Sequence, residues 1–331
     1  MDSRLMKAVQ YSKYGGGTEA LKLVHIPIPT PKKGELLVKL EAASLNPFDC
    51  KCQQGKFRPI YPSGLPCTPA TDIAGEIVEI GPDVKNFKAS DKIVSFLRMK
   101  NGGDLAEYAL VLANMTVKRP IEVSAEDGAS LPMTALTALQ AIRDSAGIKL
   151  DGSGKEINVL VTAASGGVGH YAVQIAKLGG AHVTATCGAR NMNLVMGLGA
   201  DEVLDYKTVQ GAALKSPSGR KYDVVIHCAN NIPWSTFKPN LSPSSKVIGL
   251  TPNLTSLSIS FVHKVTLAKQ QLVPYFIASI QEDLSLLVDL AKEGKLETHI
   301  DSKHPLEKVE DAWTKMSERH ATGKIVVTFC N

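Results

Sequence analysis

No apolar run in this sequence reaches the roughly 18 residues that a helix needs to cross a bilayer, which removes a helical membrane span. There is no CxxC pair. The six cysteines stand at 50, 52, 67, 187, 228 and 330, so a disulfide scaffold or a four-cysteine zinc lobe has no basis, and reduced thiols in an intracellular compartment are expected. Aromatic residues are scarce at 5%, and no five basic residues run together, so the formal charge of +5 reads as a solvated surface and nucleic-acid binding is not indicated. The first residues enter strand-like sequence by Tyr11 without a charged-then-apolar leader, and secretion is not expected. Repeats and low-complexity segments are also missing.

What is present is an ordinary globular mix, 44% apolar and 21% charged over 331 residues, enough for two domains. Up to about residue 125 the pattern is mostly β, with short runs such as Leu36–Leu40 and Ile77–Ile80 punctuated by Gly and Pro. Ser124, with Asp127 three residues on, opens a helix, and a second helix is expected from Thr134 to Arg143. Strands at 158–162, 182–186, 202–204, 223–227 and 246–250 then alternate with helical segments, which predicts a doubly wound parallel sheet. A helix at 283–293 leads to a strand-helix-strand tail whose last strand, ending at Val327, returns to the first domain. The expected division is 1–125 with 286–331 for a barrel-like domain and 126–285 for a nucleotide-binding domain, an α/β architecture overall.

The segment Ala164-Ser165-Gly166-Gly167-Val168-Gly169 matches the dinucleotide glycine motif with alanine in first place. It follows an apolar strand and opens a helix, the context in which glycines let the backbone approach a pyrophosphate at a helix N-terminus. An NAD site places an acid at the end of the second strand. Here that segment is Thr186-Cys187-Gly188-Ala189-Arg190-Asn191, with no acid and with Arg190 placed for a 2′-phosphate, so NADPH is favoured. Tyr206 and Lys207 close over the same phosphate in this reading; Arg190 as a plain solvated residue is the alternative. His227 and Cys228 end a strand at the ligand edge of the sheet, which makes Ala229 and Asn230 candidates for the nicotinamide site.

The glycine loop, the segment Ser44-Leu45-Asn46-Pro47-Phe48-Asp49 and the segment Pro69-Ala70-Thr71-Asp72-Ile73-Ala74-Gly75 together resemble the quinone oxidoreductase branch of the medium-chain dehydrogenase/reductase family. The likeness extends over essentially the whole chain and is stronger still toward plant chloroplast-envelope members. It implies a GroES-like β-barrel catalytic domain, a Rossmann domain, NADPH as hydride donor, and enones, oxylipin-like enones or quinones as substrates. Zinc-dependent relatives carry a cysteine where Asn46 stands and Gly-His-Glu where Ala70-Thr71-Asp72 stands. Three zinc ligands cannot be assembled from this chain, so no metal is expected.

Without a Lewis acid, conjugate reduction is easier than ketone reduction, because hydrogen bonds can hold the developing enolate oxygen. By position in the resemblance the first candidate for that contact is Asn46, with a structural role before Pro47 as the alternative. Thr137 is a candidate contact to the nicotinamide or its ribose, and Tyr61 a weaker donor. Asp49 and Lys51 are expected to pair and hold the loop, and His170 to lie on an outer helix face. Cys50, Cys52, Met133-Thr134, Phe48, Arg98, Met99 and Trp234 depart from the group, which opens a second reading: a specialised-metabolism reductase of a bulky natural-product enone or iminium. A third is an NADPH-binding protein with little turnover. A monomer or homodimer, with 246–255 supplying an edge strand for pairing, and a cytoplasmic or peripheral chloroplast-envelope location complete the expectations.

Overall fold

The computed structural model describes residues 4–59, 64–97, 103, 105–230, 232–278 and 281–329. Two compact units result, Met1–Met133 with Ser279–Asn331, and Thr134–Ala278.

The first unit runs through β1 (Leu5–Gln10), β2 (Lys22–Pro27), β3 (Glu35–Leu45), α1 (Pro47–Gln53), β4 (Asp72–Ile80), β5 (Lys92–Phe96), β6 (Tyr108–Leu112), β7 (Thr116–Lys118) and α2 (Ala125–Ser130). The helix α3 (Pro132–Gln140) carries the chain into the second unit and continues as a π-helical turn, Ala141–Ser145. The second unit holds β8 (Asn158–Thr162), α4 (Gly169–Leu178), β9 (His182–Cys187), α5 (Met192–Gly197), β10 (Glu202–Asp205) and α6 (Val209–Ala212). It continues through β11 (Tyr222–His227), α7 (Trp234–Phe237), β12 (Leu241–Gly249), α8 (Leu254–Val265) and β13 (Gln270–Pro274). The chain then re-enters the first unit with α9 (Gln281–Lys292), β14 (Ile300–Pro305), α10 (Val309–Glu318) and β15 (Lys324–Thr328).

In the first unit β3 is the hub. It is long because its apolar residues are nearly continuous, and it pairs antiparallel with β4, β6 and β15. The seven-stranded sheet runs β14-β15-β3-β4-β5-β7, with β6 also on β3. The returning strand β15 is apolar from Ile325 to Val327 and adds Trp313, Met316 and Leu306 of the neighbouring segment to the core around Leu36, Leu40, Ile73 and Ile93. The second unit is an all-parallel sheet in the order β10-β9-β8-β11-β12-β13, the doubly wound arrangement. Its order reverses beside β8, so the loop after β8 falls at the point where such sheets bind ligands.

Two expectations need correction. The domain boundary at 125/126 lies instead at 133/134. The run from Ser124 caps α2 as expected, the Ser124 hydroxyl accepting the Asp127 N–H at 3.0 Å, but α2 packs on β3 and β4 of the first unit. The boundary at 285/286 likewise moves to 278/279, because Gln281 at the start of α9 donates to the carbonyl of Thr116 at 2.6 Å. Second, 246–255 is not a sheet edge. Lys246–Gly249 lies in β12, hydrogen-bonded between β11 and β13, and Thr255 is in α8. The edge is β13, whose sequence, Gln-Gln-Leu-Val-Pro, has too few apolar residues to announce a strand.

Candidate active site

Thr162 ends β8, and the chain turns at Ala163 with φ 50°. Gly166 N–H donates to the Ala163 carbonyl at 3.0 Å, and Ala164 N–H to the Thr186 carbonyl of β9 at 2.8 Å. This ties the loop to both strands. A Cβ at Gly169 would sit 2.3 Å from the Ala163 oxygen, so α4 can start this close to β8 only with glycine there. No side chain caps α4. Among the described residues the Gly167 and Val168 N–H groups have no protein acceptor, and they stand at the positive end of a ten-residue helix. These are the properties a pyrophosphate needs, so the loop fits a nicotinamide dinucleotide.

The surrounding loops are braced to it. Asn191 donates to the Ser165 hydroxyl at 3.0 Å, linking the turns after β8 and β9. The Thr162 hydroxyl accepts the Ala229 N–H at 3.1 Å and meets His227 Nδ1 at 3.1 Å. Burial pushes His227 down to about 4, so it is neutral at neutral pH. Asn230, which is exposed, accepts from Thr251 at 3.2 Å and joins the ends of β11 and β12. Of the expected cofactor residues, Ser165 through Gly169, Cys187, Gly188, Arg190, Tyr206, Ala229 and Asn230 all gather at the carboxyl ends of β8, β9, β10 and β11.

At the end of β9 the acid is indeed missing. Cys187 is buried, Arg190 is exposed, and the Tyr206 ring lies 3.6 Å from where a Gly188 Cβ would be. Tyr206 N–H donates to the Cys187 carbonyl at 3.1 Å, which holds the start of the next turn against this strand end. Asp205, opposite Cys187 at the end of the neighbouring strand β10, accepts the Lys207 N–H at 3.0 Å and so closes its own turn.

His170 corrects another expectation. It is fully buried rather than on an outer face, and its Nδ1 meets the Gly166 carbonyl at 3.0 Å. The helix carrying it is buried along most of its length, from Gly169 to Ala176. Thr137, also in the second unit, is nearly buried on α3. Tyr61, Arg98, Met99 and Cys330 lie outside the described residues.

In the first unit Asn46 starts α1, and its backbone N–H donates to Asp49 Oδ2 at 2.7 Å. That contact overturns the expected Asp49–Lys51 pair: Asp49 is turned inward at the first turn of the helix, and no ion pair joins it to Lys51. The Asn46 side chain does not cap the helix. Its Oδ1 accepts from Lys324 Nζ at 2.7 Å, and its Nδ2 donates to Asp72 Oδ2 at 2.9 Å. Asp72 also accepts from Met133 N–H at 3.1 Å, Thr71 at 3.2 Å and Ser44 at 3.5 Å. Lys324 was not singled out in the sequence. Asn46, Asp49, Asp72 and Lys324 are all at most 3% exposed. Burial raises Asp72 and lowers Lys324, and their mutual attraction opposes both shifts. Phe48 stacks on Phe57 with centroids 4.7 Å apart, and Trp234 packs on His263 at 4.7 Å, so both of these unusual aromatics take part in internal packing.

Burial pushes Asp49 up to about 8 from an ordinary 3.8. The folded state therefore holds a proton that the unfolded chain releases above its own pKa. The Asp49 contribution to stability is therefore fully present below about pH 4, is lost as pH rises toward 8, and stays constant above it. Asp49→Asn, which mimics the protonated acid, should flatten that slope in urea titrations between pH 5 and 8; an unchanged slope would place the titration elsewhere.

The chain is an oxidoreductase and belongs to the medium-chain dehydrogenase/reductase family, in its quinone oxidoreductase branch. Residues 32–121 match the alcohol dehydrogenase GroES-like domain family and residues 198–327 the zinc-binding dehydrogenase family. The chain is 60% identical to the chloroplast envelope quinone oxidoreductase homolog of Arabidopsis thaliana, over 99% of each chain. It is 32% identical to the chloroplastic NADPH-dependent alkenal/one oxidoreductase of the same plant, over 97% of this chain and 79% of that one. Among solved structures, the quinone oxidoreductase of Coxiella burnetii superposes with a TM-score of 0.87 at 29% identity, covering 98% of this chain and 99% of that one. The cofactor class is accordingly a nicotinamide nucleotide. The second family's zinc does not fit the residues present. Lys324 already occupies the Asn46 oxygen, and no group of three His, Cys, Asp or Glu among the described residues is placed to hold a metal ion.

Proposed function

We propose that this chain reduces the C=C bond of α,β-unsaturated carbonyls, oxylipin-like enones among them, and also quinones, with NADPH as donor and without zinc. The observation that carries this reading is the Asn46–Lys324–Asp72 cluster. Its positive charge is a buried ammonium, and the Asn46 amide has one Nδ2 hydrogen committed neither to Asp72 nor, among the described residues, to any other group. An amide N–H suits an enolate oxygen, where charge gathers only as the reaction proceeds.

A nicotinamide held by this chain would supply a hydride for the substrate β-carbon. The chain's part is to hold and orient. The N–H groups of Gly167 and Val168, with Ser165, Gly166 and Gly169 shaping the loop, hold the pyrophosphate. Arg190 and Tyr206, beside Cys187 and Gly188, take the 2′-phosphate end, and Ala229 and Asn230 the nicotinamide end. Asn46 donates to the enolate oxygen, Thr137 and Tyr61 are the further candidate contacts, and the α-carbon proton comes from solvent or a relayed hydroxyl.

Asn46→Ala tests the donor. With NADPH and a short enone, kcat is expected to fall about 100-fold while the KM for NADPH stays near wild type. A folded variant with unchanged kcat would return Asn46 to a purely structural role.

We further propose that two copies associate through the second unit. The β13 edge is unpaired among the described residues. Next to it α8 exposes Leu254, Phe261, Val262 and Val265 at 53% or more, an apolar face continuous with that free edge. Light scattering should give a dimer, and Phe261→Glu a monomer. A monomer at micromolar wild-type concentration would refute the pairing. For location, the proposal is a peripheral position at a plastid envelope, supported by the name of the Arabidopsis relative. No helix among the described residues is long and apolar enough to cross a membrane.

A further inference from the structure

We infer that Lys324 is a positioning residue for the Asn46 amide, fixing its orientation and strengthening its remaining N–H as a donor. The inference rests on the reading of Asn46 as the contact to the enolate oxygen.

Lys324 begins β15 and is 2% exposed. Its placement is set by the backbone. Gly323 adopts φ 82°, and a Cβ there would lie 2.0 Å from the His299 carbonyl, so only glycine admits the chain at this point. The Lys324 N–H then donates to that carbonyl at 2.9 Å, and β15 proceeds antiparallel along β3, with Ile325 opposite Leu45. This register brings the lysine to the end of β3, where Asn46 begins α1. The ammonium has three hydrogens and three acceptors around it: Asn46 Oδ1 at 2.7 Å, the Leu45 carbonyl at 3.4 Å and Asp72 Oδ2 at 3.9 Å. The first two are hydrogen bonds, and Asp72 attracts the ammonium as a neighbouring charge.

The Asn46 amide thus bridges a buried cation and a buried carboxylate, oxygen toward Lys324 and nitrogen toward Asp72. A flipped amide would set its NH2 against the ammonium and its oxygen against the carboxylate, so one orientation alone is tolerated. The held orientation fixes the direction of the second Nδ2 hydrogen. A cation on the amide oxygen also draws charge from the nitrogen, and hydrogen bonds linked in this way reinforce one another. The donor is therefore prepared before substrate arrives, which is the condition for stabilising a charge that exists only in the transition state.

Removing Lys324 alone would strand Asp72 as a buried charge, so the test variant is the charge-balanced double K324M/D72N. Turnover of a short enone is measured together with the KM for NADPH and the thermal midpoint. The inference predicts kcat lowered about tenfold or more with the KM for NADPH within about twofold. If kcat stays near wild type in the double variant while Asn46→Ala lowers it, Lys324 is structural only and the inference is overturned. If Asn46→Ala leaves kcat unchanged, the donor reading itself fails and this inference with it. A second measurement needs no variant to fold. In the full-length wild-type protein labelled with 15N-asparagine, the Asn46 side-chain amide should show two separate, slowly exchanging hydrogens. Rapid exchange and averaged signals would contradict a held amide.

Discussion

Replacing Arg190 by alanine should raise the KM for NADPH about 10- to 100-fold and leave NADH-supported turnover within about twofold, because the lost contacts are to a charged group. The asymmetry follows from the end of β9. An acid there would accept a ribose hydroxyl and repel a phosphate. This chain instead has Cys187 buried, Gly188 without a side chain, and Arg190 exposed beyond them. Asp205, which might have served NADH from the neighbouring strand, is turned back on the Lys207 N–H at 3.0 Å. Because Arg190 is exposed, its loss should cost the fold little, and the thermal midpoint serves as the control. Equal losses with both cofactors would mean that Arg190 braces the loop rather than reading the phosphate.

Gly169→Val should abolish measurable NADPH binding and lower the thermal midpoint by about 2–10 °C, the range expected for 1–3 kcal/mol of overpacking in a chain of this size. A side chain at this position meets the Ala163 oxygen at 2.3 Å and the Ala164 Cα at 2.7 Å. Neither atom can retreat, since Ala163 holds the Gly166 N–H and Ala164 holds the Thr186 carbonyl. The start of α4 must move, and with it the Gly167 and Val168 N–H groups. Gly166→Ala is the graded comparison: its Cβ would stand 3.3 Å from the same oxygen, so a milder loss is expected. Gly197→Ala, with nothing within 4 Å, should change neither binding nor stability. NADPH titration by fluorescence reads all three. Undiminished binding by the valine variant would remove this loop from the cofactor site.

Local pattern was enough to find β8, α4 and β9 to within a residue, because an apolar run, a glycine turn and a second apolar run leave few alternatives. The place of Arg190 was legible for a similar reason, since it lies a fixed few residues past a recognisable strand. Lys324 was not. A lone lysine before Ile325-Val326-Val327 reads as a strand end in water, and its partners Asn46 and Asp72 are more than 250 residues away in sequence. His170 was misplaced because its burial depends on what covers α4 from both sides. Asp49 was given to Lys51, two residues on, although a residue at the third helical position reaches back to the backbone N–H that starts the helix. The misjudged sheet edge has the same origin: strand order is set by crossovers, and β13 carries too few apolar residues to be seen.

The most direct test of the account is consumption of NADPH, beside NADH at equal concentration, with a panel of short enals, long-chain enones and quinones, before and after treatment with a strong chelator. The account predicts turnover of an enone or quinone that prefers NADPH clearly and is unchanged by the chelator. Turnover that disappears on chelation and returns with zinc, or an equal rate with NADH, would contradict it.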